Sequence, residues 1–211
     1  MPDDAKKNMP PKASSVKKSV LREWVDSFII AAILALIIRS FAIQAFKIPS
    51  GSMRMTLIEG DRLIVNKLKY GPLLTLRFKS KILYQLKRLP GFSKPQRGDI
   101  IVFIFPQDPG RDFIKRLIAF GGETVEIKDG HIYINDQLVK DPAVYNITYY
   151  NRGDYGEENQ KVVVPPGHVY VLGDNSLSSH DSRYWGFVTE DYIIGKAEVI
   201  YWPFSRMRVL K

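Results

Sequence analysis

Two hydroxyls and one amine offer the most chemistry in this sequence. Ser50 and Ser52 lie in the segment Phe46-Lys47-Ile48-Pro49-Ser50-Gly51-Ser52-Met53. Lys115 lies more than sixty residues later, in Asp112-Phe113-Ile114-Lys115-Arg116-Leu117-Ile118-Ala119. Pro49 disfavours helix at Ile48 and Gly51 admits backbone angles that other residues resist, so the first segment ends a helix and presents both hydroxyls on a tight loop. Read as a strand, the second segment puts Lys115 on one face with Phe113, Leu117 and Ala119. Arg116 then shares the other face with Ile114 and Ile118. An ammonium on an apolar face loses hydration and its pKa falls, so the neutral amine can act as a general base without any histidine. Arg116 stays protonated and cannot fill that role. In this reading Lys115 deprotonates Ser52, whose oxygen attacks a peptide carbonyl to give an acyl-enzyme, and the Ser52 N–H with the Ser50 hydroxyl supplies oxyanion donors. Two plainer readings stand beside it. Ser, Gly and Pro cluster in ordinary turns, and a strand lysine can snorkel to the sheet edge.

The elements that must position these groups begin with an apolar run. Residues 28–38 are eleven in a row without a polar side chain. Extended from Leu21 or Trp24 to Ala42, the run reaches the roughly 20 residues that a bilayer span needs. Trp24 suits one interface and Arg39 snorkels at the other, while Lys17, Lys18 and Arg22 favour an inside N-terminus. The segment divides the chain into a basic tail (1–20), an anchor helix (21–42) and a remainder (43–211), within which 71–95 and 128–170 read as insertions or a smaller subdomain. A buried core helix and a cleavable signal peptide are the competing readings, the latter because Ser40-Phe41-Ala42 fits the small-x-small rule. Arg39, between the apolar core and that site, is unfavourable to cleavage, and a retained single anchor is expected.

Downstream the pattern is that of strands. Residues 62–67, 100–105, 112–120, 161–164, 168–172 and 197–201 carry β-branched and apolar runs bounded by turn residues. Residues 124–127 and 131–134 flank Asp129-Gly130 as a hairpin with a type I′ turn. The expected fold is mostly β, an antiparallel-sheet domain behind one N-terminal transmembrane helix. Residues 71–95 are basic with interspersed Leu73, Leu74, Leu76, Phe78, Ile82, Leu83, Tyr84 and Leu86, which suits either a membrane-surface insertion or a solvated hairpin or loop.

Several classes are excluded or disfavoured. There is no cysteine, hence no disulfide, thiolate metal site or Cys nucleophile. His131, His168 and His180 are scattered without ligand spacing, so no metal is expected, and no phosphate loop or other cofactor signature is present. Asn146-Ile147-Thr148 is a coincidental glycosylation sequon. The net charge of +9 suits nucleic acid or anionic lipid. Lipid has the apolar helix in its favour, whereas the basic residues are spread without a recognition helix, so no nucleic-acid partner is expected.

Five ordered blocks make the chain resemble the bacterial type I signal peptidases, the membrane-bound serine proteases with a Ser/Lys dyad. They are the anchor helix; Ile48-Pro49-Ser50-Gly51-Ser52-Met53; Gly60-Asp61 with Val65 and Lys67-Leu68-Lys69-Tyr70-Gly71; Arg97-Gly98-Asp99 through Lys115-Arg116; and Gly173-Asp174-Asn175 through Ser182-Arg183-Tyr184-Trp185-Gly186. The similarity runs over about residues 22–205 and rests on the ordered set of blocks, not on any one alone. It implies a sheet of the type shared with self-cleaving repressors, preprotein signal peptides as substrates, a bilayer partner, and a catalytic domain outside the cytoplasmic membrane. It implies Ser52 as nucleophile, Lys115 as general base and Ser50 as side-chain oxyanion donor. It further implies Ser179 as the serine that orients the lysine, and Asp181 with Arg183 as a supporting ion pair, although by themselves these two suit a solvated pair. Phe46, Ile48, Met53, Leu57, Val102 and Ile114 match the lining of shallow pockets that select small side chains. Met55 departs from the family, which usually has proline there. A self-cleaving repressor shares the dyad but needs an N-terminal DNA-binding domain, and the rival from another class is an inactive membrane-tethered binding protein.

Overall fold

The apolar run at 100–104 becomes a strand buried at every position, as expected of a central strand covered on both faces. It is β5 (Ile100–Ile104) in a computed structural model that describes residues 20–73, 75–78, 81–85 and 88–210. The basic tail up to residue 19 and Leu74 and Leu86 of the basic stretch lie outside the described residues, as do the side chains of Leu76 and Phe78. Helix α1 (Val20–Phe41) coincides with the expected anchor. It is long and apolar enough to cross a membrane, with a mean hydropathy of 1.9 and nothing in its apolar window buried.

The strands that follow are β1 (Ile43–Lys47), β2 (Arg62–Asn66), β3 (Thr75–Phe78) and β4 (Lys81–Gln85), then β6 (Asp112–Phe120), β7 (Thr124–Lys128), β8 (His131–Ile134) and β9 (Gln137–Leu138). After the short helix α2 (Pro142–Tyr145) come β10 (Val162–Val163) and β11 (His168–Leu172); after α3 (Ser182–Trp185) come β12 (Val188–Thr189), β13 (Ile193–Trp202) and β14 (Arg208–Val209). The main sheet has the order β1-β2-β13-β5-β6-β11-β12, with β14 on β13, and its ladders are antiparallel. A second sheet, β10-β7-β8-β9, and the hairpin β3-β4 complete the strands among the described residues. A mostly antiparallel β domain behind one apolar helix is therefore what the sequence folds into.

Asp129 and Gly130 both take positive φ, 51° and 78°, as a type I′ turn between β7 and β8 requires. Within 71–95 the described residues form the hairpin β3-β4. The sequence reading has no strand at β1, whose Ile-Gln-Ala-Phe-Lys alternation follows the helix after Ala42 alone. It also begins the last long strand at Ala197, where β13 begins at Ile193.

Three apolar clusters stabilise the domain. One contains Ile48, Met53, Leu57 and Val102 in its buried core, with Phe46 and Ile114 partly buried against it. All six residues expected to line pockets are thus in a single cluster.

Candidate active site

The turn Gly51–Met53 is one turn of 3₁₀ helix. Ser50 precedes it with extended backbone angles, φ −141° and ψ 157°, and its side chain caps nothing. Thr56 N–H and Leu57 N–H both donate to Met53 O, at 2.8 and 2.6 Å, which closes the loop behind the serine. Among the described residues the Ser52 N–H donates to no protein acceptor, as the first amides of a helical turn do not. Met55 does not disturb this turn: it is 73% exposed, and the turn closes through its neighbours Thr56 and Leu57.

β6 brings Lys115 to this turn. Lys115 Nζ lies 2.7 Å from Ser52 Oγ and 3.0 Å from Ile114 O. Lys115 is 3% exposed and Ser52 is 8% exposed, and the ammonium stands 5.4 Å from the centre of the Phe113 ring. Burial pulls the lysine pKa down to about 8, against the opposing pull of the Asp181 and Asp174 carboxylates. The group is therefore close to the protonation balance that a general base needs near neutral pH. The expected common face holds for Phe113 and Leu117, which pack in one cluster. It fails at Ala119, which packs with Ile118 in another. The cause is a register shift between β6 and β11 at Tyr170/Val171, since a bulge turns the following side chains over.

The loop after β11 holds the serine turn from the other side. Asn175 N–H donates to Ser52 O at 3.0 Å, and Asn175 Nδ2 donates to Gly51 O at 2.9 Å. Asp174 N–H donates to Met53 Sδ at 3.4 Å. The Asp174 carboxylate takes two bonds from Arg116, at 2.8 and 2.6 Å, and one from Thr56 Oγ1 at 2.5 Å. Arg116, on the strand face opposite the lysine, thus ties the lysine strand to the loop that grips the serine turn. The sequence reading gives neither Asn175 nor the Arg116–Asp174 pair a role; the only signal for them is membership of the motif blocks that contain them.

Asp181 and Arg183 are paired, and the solvated alternative is wrong. Both side chains are 0% exposed, and Arg183 Nε and Nη2 each reach Asp181 at 2.8 Å. Arg183 also donates to Tyr150 O, Ser176 Oγ and Ser176 O at 2.7–2.8 Å, and Gly173 N–H donates to Asp181 Oδ2 at 3.0 Å. Ser179 is buried beside this network, and among the described residues its hydroxyl has no hydrogen-bond partner. It lies against Gly173, where a Cβ would meet Ser179 Oγ at 2.1 Å.

Above Ser52 and Lys115 is a cleft of about 310 Å³ lined by Ser50, Gly51, Arg54, Phe113, Asn175, Ser178 and His180 among others. Ile48, Met53, Leu57 and Val102 are covered by protein, so among the expected pocket residues only Phe46 and Ile114 retain appreciable surface. No group of three or more His, Asp or Glu among the described residues is placed to hold a metal. The site offers a hydroxyl, a buried amine beside it, an unused N–H and a second hydroxyl at the rim, which is a set suited to acyl transfer.

The same chain is similar to known proteins along most of its length. The family described as signal peptidase, peptidase S26, matches residues 21–202. Signal peptidase I of Pseudomonas aeruginosa is 33% identical over 225 residues, covering 90% of this chain and 76% of that one. Signal peptidase I of Leptolyngbya laminosa is 37% identical, covering 93% and 88%. Signal peptidase I P of Bacillus subtilis subsp. natto is 37% identical, covering 92% and 96%.

Proposed function

The chain belongs to the signal peptidase family S26, the serine endopeptidases that process signal peptides, and on that premise we propose that Ser52 and Lys115 are its catalytic dyad. The observation that carries this reading is the 2.7 Å contact between a lysine 3% exposed and a serine presented on a 3₁₀ turn. Neutral Lys115 Nζ takes the Ser52 proton as Oγ attacks the carbonyl carbon. The tetrahedral oxyanion is held by the Ser52 N–H and the Ser50 hydroxyl. Collapse passes the proton from Lys115 to the leaving amine and leaves the signal peptide esterified to Ser52. Lys115 then deprotonates a water that attacks the ester, and returns that proton to Ser52 Oγ as the C–O bond breaks and the signal peptide leaves as a carboxylic acid.

The sheet offers a place for the substrate backbone. β6 pairs with β5 over 112–116 but with β11 only from Arg116 onward, so among the described residues the stretch 113–115 has one edge without a ladder partner. An extended peptide adds to such an edge through main-chain bonds, which leaves side-chain choice to the pockets. Phe46 and Ile114 are the pocket walls in reach, backed by Ile48, Met53, Leu57 and Val102. Ser179 is the group assigned to orient Lys115; its buried hydroxyl is unbonded among the described residues and would have to turn to the amine to do so, on a loop held by Asp181 and Arg183. The helix α1 spans the cytoplasmic membrane with the N-terminus inside, and residues 43–211 act on the outer face. From Ile38 to Ser52 the chain reaches at most about 50 Å, so the cut falls near the bilayer surface.

The deciding experiment compares wild type with Ser52→Ala and Lys115→Ala on a preprotein in vitro, with a serine-directed label as second readout. Both variants are expected to lose cleavage, and Ser52→Ala to lose labelling. Processing at the wild-type rate by either would sink the dyad.

A further inference from the structure

Lys67 follows β2 directly and takes no part in the chemistry above, yet it is only 8% exposed. Its Nζ donates to Arg39 O at 3.1 Å and to Ser40 O at 3.4 Å, and its backbone N–H donates to Ala42 O at 2.8 Å. These carbonyls belong to the end of α1 and the residue after it. The last carbonyls of an α-helix have no intrahelical donors, and a cation there both bonds them and opposes the helix dipole. No glycine or asparagine follows Phe41 to close the helix by a left-handed cap. The cap is delivered instead by a lysine 27 and 28 residues further along the chain.

We propose that Lys67 is a positioning residue that fixes how far beyond the membrane span the enzyme cuts. The inference rests on the reading of α1 as the span and of Ser52 as the nucleophile. Its basis is the length of the tether. β1 starts at Ile43 and its register with β2 runs from Ile43↔Asn66 to Lys47↔Arg62, so from β1 to the serine turn the chain has no slack to give. Slack can enter only at the end of the helix. Unwinding its last turn moves about four residues from ~1.5 to ~3.3 Å of rise each, which lengthens the tether by about 7 Å. A signal peptide held by its own apolar segment advances about 3.3 Å per extended residue, so about 7 Å corresponds to about two residues of substrate. With the turn capped, the length of chain between the end of the helix and the nucleophile is set; with Lys67 removed, it spreads over about that range.

The test uses the full-length enzyme in liposomes and a preprotein in two forms, the natural one and one with two small residues inserted between apolar segment and cleavage site. A short water-soluble peptide with the same site serves as the third substrate. Lys67→Met keeps the aliphatic stem and removes the ammonium; Lys67→Arg keeps the charge. Lys67→Met is expected to lower the preference for the natural preprotein over the lengthened one by about threefold or more, with peptide cleavage within about twofold of wild type. Lys67→Arg is expected to restore the preference. An unchanged preference overturns the proposal, and so does an equal loss on all three substrates, which marks a folding defect. An active Ser52→Ala control would overturn the reading of the site itself; an unchanged preference beside an inactive control removes only the role of Lys67.

Discussion

Gly173 and Ser52 are in backbone contact: a Cβ built on Gly173 would lie 2.5 Å from the Ser52 carbonyl oxygen. The serine turn and the loop after β11 approach so closely that no side chain fits between them. Gly173→Ala must therefore displace the serine turn as well as Ser179, since the Ser179 hydroxyl can rotate aside but the Ser52 carbonyl oxygen is backbone and cannot. Misplacement of a reacting atom by about 1 Å costs on the order of 10²-fold in rate. Peptide kcat/KM for Gly173→Ala is expected to fall by about that factor, and a variant within about threefold of wild type would refute the contact.

The pH dependence follows from burial of Lys115. Its pKa is lowered to about 8, and only the neutral form can serve as the proposed base, so kcat/KM is expected to rise with pH through a limb near 8. Stability runs the same way. The unfolded chain holds this proton up to about 10.5, its ordinary value, so between about 8 and 10.5 the unfolded state binds more protons and the fold gains stability as pH rises. Below about 8 the cost of the buried ammonium is felt in full. Lys115→Met is expected to be inactive yet to raise Tm at about pH 7, with a gain that shrinks as pH approaches 10.5. Melting curves at about pH 7 and about pH 10 check both halves; a Tm gain independent of pH would refute the burial argument.

Removing Arg183 leaves the Asp181 carboxylate buried without its partner. Breaking such a pair from one side costs about 3–5 kcal/mol. Arg183→Met should unfold at markedly lower denaturant than wild type. Arg183→Lys is expected to recover only part of the loss, because an ammonium cannot serve Asp181, Tyr150 O and Ser176 O from one fork. Urea titration followed by circular dichroism measures both.

Ser50 is exposed and caps nothing, so its hydroxyl contributes little to folding. If it binds the oxyanion, Ser50→Ala should lower kcat by about 10²–10³ with KM and Tm nearly unchanged. A rise in KM with kcat intact would assign the residue to substrate recognition instead.

Much of this architecture is readable from local pattern. β6 and β8 match their expected bounds because β-branched and apolar residues are dense between turn residues. Lys115 declares itself as an amine on an apolar strand. What local pattern does not carry is partnership at long range. Arg116 looks like any strand arginine until Asp174, 58 residues away, is brought beside it. Asp181 and Arg183 look like surface charges until the segments holding Tyr150 and Ser176 close over them. The bulge at Ile118 is likewise invisible in the β6 sequence, since an extra residue shows only in the pairing with β11. β1 is hard to read because its alternation begins where the apolar helix ends.

The grip of Asn175 on Gly51 and Ser52 has a consequence for biosynthesis. The two ends of that grip are separated by 124 residues, and β2 cannot pair with β13 until residues 193–202 have been made. Chains emerge N-terminus first, and long-range pairings close last. Ser52 therefore leaves the ribosome long before the residues that shape its turn, and a half-made molecule has no organised serine turn. Under the proposed dyad, activity has to wait until Asn175 and the strands that follow it have been made.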